Sequence, residues 1–478
     1  MKYIFSRGSS FYFTLCMAAL GLLCLPSCFG KNADNLVKEN APTVAEQPEA
    51  PESETQPANP ESETQPADSA DEASQKADEP AEAESPKEEA QPAPEETKPA
   101  PEEAKPAQQV KADPQQVQDA IQKAAALREQ NQYDEALRLL YETELKSGPS
   151  DELWAAYDET IKNHPNLNAE PIKMTIGEDL TGLKRIGGGS SLVYKFYKDG
   201  ETIAAYKPFQ KRYQSNYRSE IAAYKLCPKM KCGFNIPINL PVYFDYNDFS
   251  KIYSRNPANL KSEFEEIIPT RLPDGTTRID GTRKEWIKDF AEYPIEFSNI
   301  WQPWLNPGTA RDDLQKPASD LIPIIAKRHK RGEKYAQRLA PHLENLSQYD
   351  LARQISNLLV FDYLINNWDR FSGSPTLYGV NCQFANGRFM SIDNGAGFSQ
   401  TPHEKPNKWF HSISRFSKTT YLAIKNFDEN EMRDYLFPNA TEFEQDKFKT
   451  FWNLRQKYLD YVQECIDKNG EAETFFFE

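Results

Sequence analysis

The globular part of the sequence predicts an α+β fold in two lobes, and three observations lead there. Strand-like apolar runs come first, at 192–197 (LVYKFY), 202–207 (TIAAYK) and 239–243 (NLPVY). Helical patterns dominate later, at 334–346, at 350–366 and in several stretches after 418. The chain is only 38% hydrophobic, but the deficit is confined to one segment, so the remainder has the composition of a packed domain. Strands gathered early and helices gathered late are the pattern of an α+β architecture.

The deficit lies in residues 31–113. They contain no aromatic and no cysteine, yet hold 13 of the 35 prolines and about −15 of the net charge of −16. A nine-residue unit, PESETQPAN at 51–59, repeats at once as PESETQPAD at 60–68. Such a segment cannot bury enough apolar area to offset its ordering entropy, and its prolines and like charges extend it. The sequence therefore predicts a disordered, Pro/Ala/Glu-rich linker over 28–113 that serves as a spacer. Ser53, Thr55, Ser62 and Thr64 stand beside acids in it, open to phosphorylation. Residues 114–478 carry only about −3, which gives no nucleic-acid footprint.

Residues 1–27 read as a signal peptide. Lys2 and Arg7 precede the apolar run FYFTLCMAALGLLCL, too short for a flanked membrane span. The run ends in LPSC, which looks like a bacterial lipobox with Cys28 as the lipidated residue. Diacylation tethers a chain to a membrane surface without spanning it. The expected location is the bacterial cell envelope, exported and lipid-anchored. Of the cysteines after Cys28, Cys227 and Cys232 (CPKMKC) are spaced to close a small loop outside the reducing cytosol; metal binding is the weaker reading, because no CxxC pair or matching histidines accompany them. The five histidines are scattered and no HExxH occurs, so no zinc site is expected.

Residues 114–168 read as a helical hairpin. Pro114 suits a helix start, and Val117, Ile121, Ala124, Ala125 and Leu127 recur at close to helical spacing. YDEALRLLYETEL and DELWAAYDETI continue the pattern. The first two helices resemble a single tetratricopeptide unit, which cannot stand as a solenoid and so should pack on the next domain. That domain spans 170–478, with an N-lobe over about 170–245 and a C-lobe over about 246–478. Its middle, 250–333, reads as loop-rich, and the helix over 334–346 is expected to break at Pro341.

Four elements carry chemistry. In RIGGGSSLVYKF the glycines Gly187, Gly188 and Gly189 let backbone approach a ligand, and successive N–H groups can cup phosphate. Lys207 ends an apolar strand in AAYKPF, an expensive placement unless it meets an anion. Glu220 stands in the first turn of the helix YRSEIAAYKL, where it suits the helix dipole and can also pair with Lys207. Asp369 follows the helix LARQISNLLVFDYLINN, and Asp393 follows the strand RFMSI. Helix, loop aspartate, hairpin, second aspartate is the order of parts in a kinase C-terminal lobe. There, one acid orients or deprotonates the attacking hydroxyl and the other holds the cation that bridges ATP phosphates. Taken singly each element has an ordinary explanation, Asp-Asn-Gly being a common turn.

NNWDR followed by SIDNGAGFS resembles the secretory-pathway kinases of the Golgi casein-kinase type, which carry N-x-D-R and then L-D-N-G-x-G-F. The likeness extends to K-P and E-I-A-A upstream and to RFSKTTYLAI downstream, over roughly 185–425. It implies an atypical protein-kinase-like fold, preceded here by the hairpin and the tail, in a lipoprotein. It also implies ATP and Mg²⁺ or Mn²⁺ as cofactors and a protein Ser/Thr or glycan hydroxyl as acceptor. By motif, Lys207 would contact phosphates, Glu220 would pair with it or help hold metal, Asp369 would be the catalytic base and Asp393 the metal ligand. Asn394 and Gly395 would form the metal turn, and Arg370 would brace the loop. The sequence departs from the pattern after Asp369-Arg370, where Phe371-Ser372-Gly373 replaces histidines and Ser374 stands where many kinases have asparagine; Asn381 is the substitute within reach. The alternative implied by those departures is an inactive pseudokinase serving as a binding module.

Overall fold

The computed structural model describes residues 113–478, apart from 149, 169, 188, 189, 213, 214, 373–376, 386, 478 and the side chain of Leu145. The signal segment, Cys28, the linker, Gly188, Gly189, Gly373 and Ser374 thus lie outside the described residues. Among the described residues no helix is long and apolar enough to cross a membrane.

The fold is α+β and two-lobed. Its first element is the helix Pro114–Glu129, started by Pro114 and capped by Asp113, whose carboxylate accepts from Gln115 N at 3.0 Å. Helices Tyr133–Ser147 and Asp151–Asn163 follow where YDEALRLLYETEL and DELWAAYDETI were expected to form them, and then the turn Pro165–Asn168. Leu137, Leu140, Leu153, Tyr157 and Ile161 bury their side chains in a core shared with later helices of the chain. Ion pairs fix the contact, among them Lys229 to Asp158 at 2.9 Å and the buried Arg388 to Glu144 at 3.5 Å.

Among the described residues ten strands follow: β1 Ile172–Lys173, β2 Gly182–Arg185, β3 Tyr194–Lys198, β4 Glu201–Pro208, β5 Asn239–Asp245, β6 Thr270–Arg271, β7 Thr277–Glu285, β8 Ala291–Glu292, β9 Cys382–Ala385 and β10 Arg388–Ser391. The first seven form one sheet in the order β1-β5-β7-β4-β3-β2, with β6 on β7. One face packs Tyr194, Phe196, Tyr206, Val242, Phe244 and Ile279 against Phe249, Ile252 and Tyr253 of the helix Tyr246–Ser254. The other face turns to the helix Tyr217–Lys229. The disulfide Cys227–Cys232 closes the expected small loop at that helix's end.

Two expectations need correction. The sheet reaches Glu285, well past the lobe boundary expected near 245–246, because β7 lies between β5 and β4. The stretch read as loop-rich therefore contains a central strand, and Gly281 admits it: a Cβ there would lie 2.5 Å from the Lys207 carbonyl oxygen. The helix Gly332–Leu343 is also not broken at Pro341, which lies inside it and marks its C-terminal end instead.

The second part is mostly helical around a three-stranded sheet, β10-β9-β8. Its central helix, Gln348–Leu364, is buried along almost its whole length. The long helix Glu442–Asn469 starts in a capping box between Thr441 and Glu444 and packs Phe448, Phe451, Leu454 and Tyr458 into the same core.

Candidate functional site

Three of the four predicted elements, those of Lys207, Glu220 and the Asp369/Asp393 pair, meet between the two parts. Along β4 side chains alternate, and Lys207 lies opposite Thr282 of β7 on the face turned to the helix Tyr217–Lys229. Asn216 caps that helix, its Oδ1 accepting from Arg218 N at 2.9 Å and Ser219 N at 3.2 Å, which places Glu220 in the first turn. The ion pair read from sequence is present: Lys207 Nζ donates to Glu220 Oε1 at 2.7 Å, and both residues are buried. Lys207 also donates to Asp393 Oδ1. Asn394 N donates to Glu220 Oε2 at 3.0 Å, and Lys284 Nζ lies 2.7 Å from Oε1.

Charge decides how these groups titrate. Burial alone pulls Lys207 down, but Asp393 and Glu220 more than reverse this and hold it above the ordinary lysine range. Burial pushes Glu220 up, and Lys207 and Lys284 together outweigh it, holding Glu220 below the usual carboxylate range. Lys284 stays below the usual lysine range, because burial and the Lys207 charge outweigh its Glu220 partner.

Asp393 takes a left-handed backbone, φ 56°, as it leaves β10, and its side chain is 32% exposed toward the cleft. Gly395 is needed for space: a Cβ there would lie 2.9 Å from Lys207 Nζ and 3.2 Å from Glu220 Oε1. Among the described residues no group of three or more His, Cys, Asp or Glu is placed to hold a metal ion. A single part-exposed carboxylate fits a Mg²⁺- or Mn²⁺-type cation that takes its other ligands from phosphates and water, and Asp393 is the residue that would hold it.

Asp369 is set by the end of the Gln348–Leu364 helix. Asn366 turns the chain with φ 55°; its Nδ2 donates to Thr401 O at 2.7 Å and its Oδ1 accepts from His403 N at 2.8 Å. Asn367 accepts from Asp369 N at 3.2 Å. Asn381 Nδ2 then donates to the Asp369 carbonyl at 2.8 Å and to its Oδ2 at 3.3 Å. Burial raises the Asp369 carboxyl above the ordinary range, and the charge of Asp393 adds to this.

Arg370 points away from the cleft and fastens its floor. It is buried, donates to Asp362 through Nε at 2.9 Å and Nη2 at 3.1 Å, and reaches Ser391 Oγ at 2.6 Å and Asn394 Oδ1 at 2.7 Å. Its Nη1 donates to Ile392 O at 3.0 Å and to Asn381 O. One guanidinium therefore ties the Asp369 loop, Asn381 and the Asp393 turn together, the bracing expected of it. Glu296 accepts from Ser372 N at 2.9 Å and Gly379 N at 3.0 Å, and Lys405 Nζ donates to Phe371 O at 3.0 Å. Lys284, Glu296 and Lys405 carry no motif, and sequence reasoning missed all three.

Of the glycine run only Gly187 is described, and a Cβ there would meet nothing within 4 Å. The following segment is held by Gln210, whose Oε1 accepts from Leu192 N at 2.7 Å and whose Nε2 donates to Leu192 O at 3.1 Å.

No family model matches the chain, and no curated protein matches it. Among solved structures, two of the Golgi casein kinase are similar to it. One, with Mn and ADP bound, shares 16% identity over 66% of this chain and 78% of that chain, with a TM-score of 0.38. The other shares 14% identity over 68% of this chain and 79% of that chain, with a TM-score of 0.39. Both are distant likenesses, so the chemistry of the cleft rests on its own residues.

Proposed function

We propose that the chain is a phosphotransferase that uses ATP with Mg²⁺ or Mn²⁺ and transfers phosphate to a protein Ser/Thr or glycan hydroxyl. The observation that carries this reading is the convergence of Lys207, Glu220 and Asp393 beside Asp369, from four separate parts of the chain. In this reading Lys207, oriented by Glu220, offers N–H groups to the phosphates. Asp393 would hold the cation, which would supply positive charge that offsets the charge developing during transfer. Asp369 orients the acceptor hydroxyl and takes its proton as the acceptor oxygen bonds to the γ-phosphorus and the bond from that phosphorus to the β–γ bridging oxygen breaks, releasing ADP; its raised affinity for protons suits that task. Arg370 and Asn381 keep Asp369 and the Asp393 turn in register.

The reading extends to location. The basic start, apolar run and Cys28 support an exported protein tethered at the bacterial envelope by lipid, with the acidic 28–113 segment as its spacer. Cys28→Ser is expected to release the protein from the membrane fraction; unchanged fractionation would contradict the tether.

A binding module without turnover is the second reading, and Phe371 to Ser374, which depart from the kinase pattern, favour it. Transfer of label from γ-labelled ATP to envelope proteins and glycans separates the two. The phosphotransferase reading expects transfer by the wild type, none by Asp369→Asn, and nucleotide binding by both. Binding with no transfer to any acceptor would favour the module.

A further inference from the structure

Glu220 is shared by two lysines, and the mechanism above uses one. Lys284 Nζ lies 2.7 Å from Glu220 Oε1, the oxygen that also accepts from Lys207 at 2.7 Å. The strand register explains the convergence. Lys207 pairs with Thr282 and Ala205 with Lys284, so the two lysines are diagonal neighbours on one face of β4 and β7. The Lys284 side chain is only 12% exposed. An ammonium so placed loses hydration, and Glu220 is the carboxylate that compensates it.

We propose that Lys284 is a positioning residue for the phosphate end of the cleft: it keeps Glu220 paired when Lys207 turns its hydrogens to a nucleotide's phosphates and Asp393 turns to the metal. This rests on the reading of the cleft as a nucleotide site. The reason is a count of donors and charges. A lysine has three N–H donors, and Lys207 gives one to Glu220 and one to Asp393. A polyphosphate draws on the same donors. Glu220, 1% exposed, would then share its ammonium with a polyanion, and a buried carboxylate short of a partner is costly. Lys284 meets that need from its own strand.

The test is a calorimetric Kd of the full chain for ATP with Mn²⁺, in wild type, Lys284→Met, Lys284→Arg, Glu220→Gln and the double variant Lys284→Met/Glu220→Gln. Lys284→Met is expected to weaken binding about tenfold, and Lys284→Arg to recover most of that loss. Adding Lys284→Met to Glu220→Gln is expected to cost nothing further, because an uncharged amide needs no second ammonium. A merely structural lysine would cost the same in both backgrounds. If Lys284→Met does not fold, Lys284→Gln, which keeps much of the stem and a donor, takes its place in the cycle. Tight wild-type binding that Lys284→Met leaves unchanged overturns this inference alone. So does a loss that persists in the Glu220→Gln background. A wild type that does not bind ATP with Mn²⁺ overturns the reading beneath it.

Discussion

Asn381 donates through one amide to both the backbone carbonyl and the carboxylate of Asp369, at 2.8 and 3.3 Å. It comes from the segment before β9, and Arg370 donates to its own carbonyl. Asn381 thus supplies an amide to a loop in which Ser374 stands at the usual asparagine position. A hydrogen bond to a charged group contributes about 1.5–3 kcal/mol, so Asn381→Ala is expected to lower kcat about tenfold to a hundredfold. Steady-state kinetics beside a melting curve checks this, and unchanged kcat in a folded variant would contradict it.

Gly395 occupies space that no side chain can share. An alanine methyl there would press on Lys207 Nζ, Glu220 Oε1 and Asn216 N at 2.9 to 3.2 Å. Crowding of this kind costs about 1–3 kcal/mol. Because the pressure falls on the ion pair, Gly395→Ala is expected to weaken nucleotide binding about tenfold or more while the protein still folds. Calorimetry with ATP and Mn²⁺ reads the effect; full affinity would show that the pair is not part of the nucleotide site.

Arg370 carries the floor of the cleft. Arg370→Ala removes the partner of the buried Asp362 along with the bonds to Ser391 and Asn394. Breaking a buried pair by removing one member costs about 3–5 kcal/mol. Adding Asp362→Asn should recover part of that loss, since the orphaned charge goes with it. Denaturant unfolding of the single and double variants tests both statements. A double variant less stable than Arg370→Ala would contradict the account of Asp362.

Asp369 sets a pH dependence. Burial, then the Asp393 charge, raises its carboxyl above the ordinary range, and Lys405 opposes the rise. The proton must be off for the residue to act as a base. Activity is therefore expected to rise with pH through an acid limb above the usual carboxylate range. Lys405→Met removes an opposing cation and is expected to move that limb to higher pH. A kcat/KM profile for each protein settles the sign, and a limb that moves down would contradict it.

The sequence made the motif-bearing residues legible and left their supports hidden. Lys207, Glu220, Asp369 and Asp393 each end or begin an element, so they stood out against apolar runs, and the structure brings them together. The strand β7, TRIDGTRKE, did not. It lies mid-sheet, with Thr282 and Lys284 turned to a polar cleft and Arg283 beside the helical segment, so no apolar alternation marks it. Lys284 was hidden with its strand. Glu296 and Lys405 act on backbone groups from loop and helix starts distant in sequence, and no local pattern announces that. Pro341 misled in the other direction, because a proline in a last helical turn leaves little helix to break.

The most direct test is the melting temperature of the full chain with and without ATP and Mn²⁺, for wild type and Asp393→Ala. A ligand at ~1,000 times its Kd stabilises by about 4 kcal/mol, well within detection. The account predicts a metal-dependent rise in the wild type that Asp393→Ala abolishes. No rise in the wild type, or an equal rise in the variant, would contradict it.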